Sequence, residues 1–284
     1  MTTSTASGAP ARARSRPQPG RWWRFAGLVL CTALVLVPLA GTLANAFQLL
    51  GLGGGHGRGA GAGQWAARVT AGFAYWLHGT PLDWFENSLL LALATVVVAL
   101  LVGAPAGYAL CRARGRAVSA YALAIFLLQS FPAVLSVVPL FLLFAKVKLV
   151  DDLFGVGLVY LGLTISVVIW MVSSYFDTIP IELEEAAWLD GCSVLGAFFR
   201  IVLRNALPAV LSAAIFVFLF VWNDYLVALV FLRSDENWTL GIGLTSAGHS
   251  PALAVLMSLP PVLVFVLLNR YFSVGGVGGA LASR

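Results

Sequence analysis

Residues 179–203 read IPIELEEAAWLDGCSVLGAFFRIVL, and the rest of the chain is best understood outward from this stretch. Pro180 suits the start of a helix, because its missing N–H is one that the first turn could not have paired. Glu182, Glu184 and Glu185 then fall in the first turns, where negative charge complements the helix dipole. Gly191 follows Asp190 and tolerates left-handed backbone angles, so the helix can stop or bend there. The expected product is a short helix, a bend and a second helix. Small Ala186 and Ala187 beside carboxylates allow close seating in the groove of a partner protein. The other reading is an amphipathic helix lying on a membrane. Such helices favour Lys and Arg on the polar face, whereas four carboxylates from Glu182 to Asp190, with no base, would meet an anionic leaflet.

What surrounds this segment is almost free of charge. Of 284 residues 60% are hydrophobic and 10% charged, against roughly 25% charged in a soluble domain, and the mean hydropathy is +0.91. Crossing a bilayer takes about 20 apolar residues. Six stretches meet that need: 25–47, 87–111, about 117–145, 153–176, about 206–232 and about 251–268. The fifth is interrupted by Asn223 and Asp224. The fold expected is therefore an all-α integral membrane protein with six transmembrane helices. Ala44-Asn45-Ala46 resembles a signal-peptide cleavage site, but the preceding apolar run is longer than a cleavable segment has, so 25–47 reads as a retained span.

Placing the N-terminus inside puts Arg12, Arg14, Arg16, Arg21, Arg24, then Arg112, Arg114, Arg116, then Arg200, Arg204, Arg270 and Arg284 on the inner side, 12 of the 17 basic residues. Arg58, Arg68, Lys146, Lys148 and Arg233 fall outside. The positive-inside rule thus assigns both termini and the 179–203 segment to the cytoplasm of a plasma or inner membrane. A basic tail (1–24), a Gly-rich outer loop (48–86, with GLGGGHGRGAGAG at 51–63) and an inner tail (273–284) flank the spans.

Few other function classes survive. No basic stripe with interleaved aromatics suggests nucleic acid, so no nucleic-acid partner is expected. Cys31, Cys111 and Cys192 lack disulfide or zinc spacing. His56, His78 and His249 have no metal-ligand pattern, no serine sits in a GxSxG setting, and no metal site or catalytic residue is assigned. The absence of GxxxxGK[ST] means that any nucleotide is hydrolysed by a partner and no cofactor is bound directly. Asp224 is costly inside a membrane; with Asn223 it faces the bundle or a water-filled path, as an interhelical hydrogen-bonding group or a solute contact. Gly103 and Gly107 read as a close helix-packing pair. Pro105, Pro132, Pro139, Pro260 and Pro261 can kink the spans, and Trp22, Trp23, Trp84 and Trp238 fit interfacial belts.

Glu185-Ala186-Ala187, three residues, Gly191, nine residues, then Ile201-x-Leu203 resembles the EAA motif of ABC importer permeases, with Asp190-Gly191 as in their carbohydrate group. Asn87-Ser88-Leu89, Tyr108-Ala109-Leu110, Phe131-Pro132, Pro139-Leu140, Trp170, Phe176-Asp177-x-Ile179-Pro180 and Trp222-Asn223-Asp224 extend the likeness from Asn87 to the end, to the maltose-type permeases. The resemblance implies a type I importer architecture, with a permease core over 87–272 and a cytoplasmic coupling helix at about 181–198. It implies that Glu185, Ala186, Ala187, Asp190 and Gly191 couple to a cytosolic ABC ATPase dimer. In that picture Glu185 pairs with a base on the ATPase, the alanines permit close approach and Gly191 allows the bend. It also implies a second homologous permease subunit, an extracytoplasmic solute-binding protein and ATP hydrolysed by the partner. Two departures stand out. Arg204 replaces the usual proline after Leu203 while Pro208 is kept, so a less sharp turn into the fifth span is expected. The chain ends Gly278-Gly279-Ala280-Leu281-Ala282-Ser283-Arg284 instead of the usual tail. The rival reading, a secondary transporter or channel acting without an ATPase, lacks an intramembrane His or Lys to partner Asp224. A third, a membrane scaffold, would tolerate change at Gly191.

Overall fold

Pro81 in the first turn of a helix costs no hydrogen bond, and Asp83 beside it complements the dipole; accordingly α2 (Thr80–Arg112) starts seven residues before Asn87, where the span was expected to open. The end of the expected loop 48–86 is thus helical. The computed structural model describes residues 21–46, 80–130, 132–246 and 251–275. The tail up to residue 20, the Gly-rich loop up to residue 79, all three histidines and the chain from residue 276 lie outside the described residues.

The α2 helix is 33 residues long and buries Trp84, Ser88, Leu91, Thr95, Ala99, Gly103 and Gly107. These recur every three or four positions, which defines one stripe of mostly small side chains. The stripe packs on α5 (Leu153–Phe176). A Cβ at Gly103 would overlap Val168, and one at Gly107 would overlap Val172, so the paired glycines let the two helices approach. The opposite face of α2 carries exposed Leu90, Leu101 and Val102, as a lipid-facing surface does. The α1 helix (Arg21–Ala46) is longer than a bilayer requires, with Leu30 71% and Leu34 75% exposed.

Between α2 and α5 the expected single span is two helices, α3 (Arg116–Ser130) and α4 (Ala133–Lys146), whose axes differ by 99°. Pro132 caps α4 in an extended conformation (φ −61°, ψ 120°). It has no N–H to continue a helical ladder from α3. The other four prolines lie within helices, Pro105 in α2, Pro139 in α4, and Pro260 and Pro261 in α11 (Pro251–Gly275).

Beyond α5 come α6 (Glu182–Leu189) and α7 (Val194–Asn205), with a π turn over Phe198–Val202, then α8 (Leu207–Trp222) and α9 (Leu226–Phe231). A short α10 (Leu240–Ser246) precedes α11. The α7 and α8 axes differ by 76°, so the turn into the fifth apolar stretch is sharp despite Arg204. Pro208 accounts for the bend: it cannot donate to Arg204 O, and its ring crowds that carbonyl. Among the described residues, all regular structure is helical. Three helices among the described residues are long and apolar enough to cross a membrane, or up to five if each bent pair is one span.

At the end of the bundle opposite α6, α2 and the loop before α5 grip the 232–240 segment. Trp84 donates to Asp235 O at 2.9 Å, Asn87 to Glu236 O at 2.8 Å, and Ser88 Oγ accepts from Leu240 N at 2.8 Å. Trp84 is therefore a buried pin for this loop, not an exposed belt residue. Asp151, at φ +62°, accepts from Arg233 N at 2.9 Å, from Ser234 N at 3.0 Å and from the Ser234 hydroxyl. Its carbonyl accepts from Asn237 Nδ2 at 2.7 Å. Burial raises the Asp151 carboxyl, but these hydrogen bonds outweigh it and hold the group down at about 2, from an ordinary 3.8.

Candidate coupling surface

The α6 helix carries Glu182, Glu184 and Glu185 in its first turn and closes at Asp190. Gly191 N–H donates to Trp188 O at 3.0 Å and Cys192 N–H to Ala187 O at 2.9 Å. These two bonds make a Schellman motif, which places its penultimate residue in the left-handed region. Gly191 is there, at φ +83°. Ser193 then caps α7, its Oγ accepting from Gly196 N at 3.1 Å. One helix ends and the next begins within four residues because each has its own cap.

The sequence-assigned residues lie on one exposed surface. Glu185, Ala186, Asp190 and Gly191 are exposed and Ala187 is half-buried. Beside them Leu189 is 90% exposed, with Leu183, Leu195 and Phe199 also open. A run of apolar side chains rimmed by carboxylates is what a protein-docking surface presents.

Glu184 departs from its neighbours. It is fully buried and bound on three sides. Arg112 Nη2 lies 2.6 Å from Oε1, and Arg112 Nε donates to the same oxygen at 2.8 Å. The Tyr108 hydroxyl donates to Oε2 at 2.5 Å. Arg112 also donates to Ile179 O at 3.0 Å, fixing the chain just before α6. Tyr108 and Arg112 are one turn apart on α2. An aromatic cluster seats the phenol, with Tyr108 and Phe198 centroids 4.9 Å apart and Phe176 6.2 Å from Phe198. The Cys111 thiol donates to Asp177 Oδ1 at 3.0 Å alongside. Removing one partner of a buried charge pair costs about 3–5 kcal/mol, because the other charge is left uncompensated. Sequence reasoning missed this group. Tyr108 and Arg112 at i, i+4 were the available signal, but their acceptor is 72 residues away from Arg112.

Asn223 and Asp224 are not part of this surface. Asn223 is exposed and donates to Leu219 O at 2.8 Å, closing α8. Asp224 Oδ2 accepts from the Tyr160 hydroxyl at 2.9 Å, from Val227 N at 3.0 Å and from Ala228 N at 3.3 Å. It caps α9 and ties it to α5.

Residues 99–275 match the family of binding-protein-dependent transport system inner membrane components. The chain belongs to that family. It is thus an integral membrane component of a binding-protein-dependent ABC transport system, and the matched residues include both the clamp on Glu184 and the whole of α6 and α7. The chain is 33% identical over 208 residues to the inner membrane ABC transporter permease protein YcjP of Escherichia coli, covering 70% of this chain and 74% of that one. It is 30% identical over 207 residues to the maltodextrin transport system permease protein MdxG of Bacillus subtilis, covering 70% and 74%. The trehalose transport system permease protein SugB of Mycobacterium tuberculosis is 30% identical over 205 residues, covering 69% and 75%. In fold, the chain superposes with a TM-score of 0.71 on a chain of a bacterial ABC transporter involved in the import of the acidic polysaccharide alginate, at 22% identity, covering 90% of this chain and all of that one.

Proposed function

We propose that the chain is one of two homologous permease subunits of an importer for a sugar or oligosaccharide, and that α6 is the helix on which the cytosolic ATPase dimer acts. The observation that carries the reading is the exposed face of α6, Glu185 and Ala186 with Leu189, ended by a glycine at φ +83°. The face can lie in a groove of the ATPase, with Glu185 against a base and the alanines allowing close approach. The chain itself is non-catalytic: ATP is hydrolysed by the partner, and a solute-binding protein delivers cargo at the opposite end. Twelve inner bases support placing α6 and both termini in the cytoplasm. The sugar assignment draws support from the maltodextrin and trehalose permeases among the relatives.

The test is uptake of radiolabelled maltodextrin, trehalose and arabinooligosaccharide by cells carrying or lacking this gene. Loss of one uptake on deletion, restored by the wild-type gene and not by Gly191→Pro at equal membrane level, is the expected result. Normal uptake with Gly191→Pro, or uptake by the purified chain alone under an ion gradient, would overturn it.

A further inference from the structure

We propose that Tyr108, Arg112 and Glu184 are positioning residues for energy transfer, locking α6 to α2 so that a displacement of α6 is delivered to α2 and α5 as one body. The proposal rests on the reading of α6 as the helix on which the ATPase acts.

Besides the short turn 177–181, which joins α6 to α5 without regular helix, two routes lead from α6 into the bundle. One follows the chain through α7 to α8. It contains the left-handed turn at Gly191, the π turn at Phe198–Val202 and the 76° break at Ala206. Each is a place where helical hydrogen bonding is interrupted or loosened, so this route is poorly suited to carrying a push. The other route crosses space from Glu184 to Arg112 and Tyr108. From there it runs along α2, one continuous helix in which Pro105 forgoes a single ladder bond, whose Gly103 and Gly107 abut Val168 and Val172 of α5 without slack.

The chemistry of the link favours a positional role. An apolar residue in place of Glu184 could fill the same space and hold α6 against the bundle as firmly. Such a contact leaves the helix free to slide or turn. A carboxylate bound by a guanidinium on one oxygen and a phenol on the other fixes both register and rotation, because charge-assisted hydrogen bonds are strongly directional. Arg112 adds the Ile179 carbonyl, so the turn entering α6 is held together with the helix. Among the described residues this is the one ion pair, and it joins these two elements. Glu184 is fully buried, so it is not available to a docking partner. Adjacent Glu185 is exposed.

The test uses the whole transporter in proteoliposomes: this chain, its second permease, the ATPase and the binding protein. The probe is whichever of maltodextrin, trehalose and arabinooligosaccharide the wild-type complex imports. Two quantities are read, the ATPase retained by the permeases and the ATP hydrolysed per sugar imported. Glu184→Gln and Arg112→Ala are expected to retain the ATPase and to raise the ATP used per sugar about tenfold, the factor that a lost charge-assisted hydrogen bond represents. Tyr108→Phe keeps the ring packing and should raise it less, and Arg112→Lys should restore part of the Arg112→Ala loss. Glu185→Arg is the control for docking and should release the ATPase. An unchanged ratio in the clamp variants, while Glu185→Arg releases the ATPase, overturns the clamp and leaves the coupling reading standing. Should Glu184→Gln fail to reach the membrane, Tyr108→Phe decides alone, an unchanged ratio again overturning the proposal. If Glu185→Arg retains both ATPase and uptake, the coupling reading falls and the clamp's role falls with it.

Discussion

Gly191 offers the sharpest perturbation, because its surroundings separate backbone strain from steric clash. At φ +83° the residue occupies a region that L side chains rarely adopt, yet a Cβ built there meets nothing within 4 Å. Within this chain, any effect of Gly191→Ala on the turn therefore comes from the backbone, at about 1–2 kcal/mol for an L-residue held in the left-handed region. At about 1.4 kcal/mol per decade, that shifts the turn's equilibrium by roughly tenfold. Asparagine is larger than alanine but tolerates left-handed angles, so Gly191→Asn should cost less. Proline, locked near −65°, cannot adopt the turn and also removes the N–H that bonds Trp188 O. Sugar uptake, normalised to the amount of permease in the membrane, should fall in the order Gly, Asn, Ala, Pro. The ranking by size would be Gly, Ala, Asn. An outcome that follows size, or one in which Pro matches wild type, refutes the argument that the turn conformation sets the direction of α6.

Three further predictions follow from other contacts. At the α2–α5 seam, Gly107→Ala overlaps Val172 and should lower thermal stability in detergent by about 1–3 kcal/mol, whereas Gly162→Ala, whose Cβ meets nothing within 4 Å, should leave it unchanged or higher. Asp224→Ala strands the Tyr160 hydroxyl and two backbone N–H groups and should cost about 2 kcal/mol or more; Asp224→Asn keeps an acceptor and should cost less, while a larger effect on apparent sugar affinity than on stability would favour solute contact instead. Asp151 has a folded-state value lowered to about 2 from 3.8, so its stabilising contribution is complete above the unfolded value and is lost as pH falls toward the folded one. The stability gap between wild type and Asp151→Asn should accordingly be constant near neutral pH and shrink as pH falls from about 4 to about 2; a gap that is flat through that window rejects the hydrogen-bonded knot.

Local chemistry was legible in the sequence where local interactions decide the structure. Pro180, the first-turn acids and Gly191 announce a helix and its stop, and Ser193 caps the next helix with its own side chain. Gly103 and Gly107 announce close packing, though not that α5 is the partner. Prolines were less informative: Pro38, Pro105, Pro139, Pro260 and Pro261 lie within helices, whereas Pro132 and Pro208 stand at breaks. Arg204 drew attention as the unusual residue, while Pro208, four positions later, sets the bend by blocking Arg204's own carbonyl. Asp224 reads as costly in any membrane span, but its satisfaction by Tyr160 spans 64 residues and is visible only in three dimensions.

The acidic cluster shows why spacing alone could not divide its labour. Glu182 and Glu185 are three apart and share a face, whereas Glu184 is about 100° of rotation from Glu185. Rotation separates the two adjacent glutamates but does not say which one faces inward. That is decided by Arg112 and Tyr108, which offer three donor contacts to a carboxylate at one position of α6. Burying Glu184 without them would cost far more than an eight-residue helix could supply from its own propensity. Placing Glu184 inward in turn holds Glu185, Ala186 and Leu189 outward, because the rotation of α6 leaves no other arrangement. The clamp therefore does two things with one ion pair. It anchors α6 to α2 and, by fixing the helix rotation, determines which residues remain exposed for a partner.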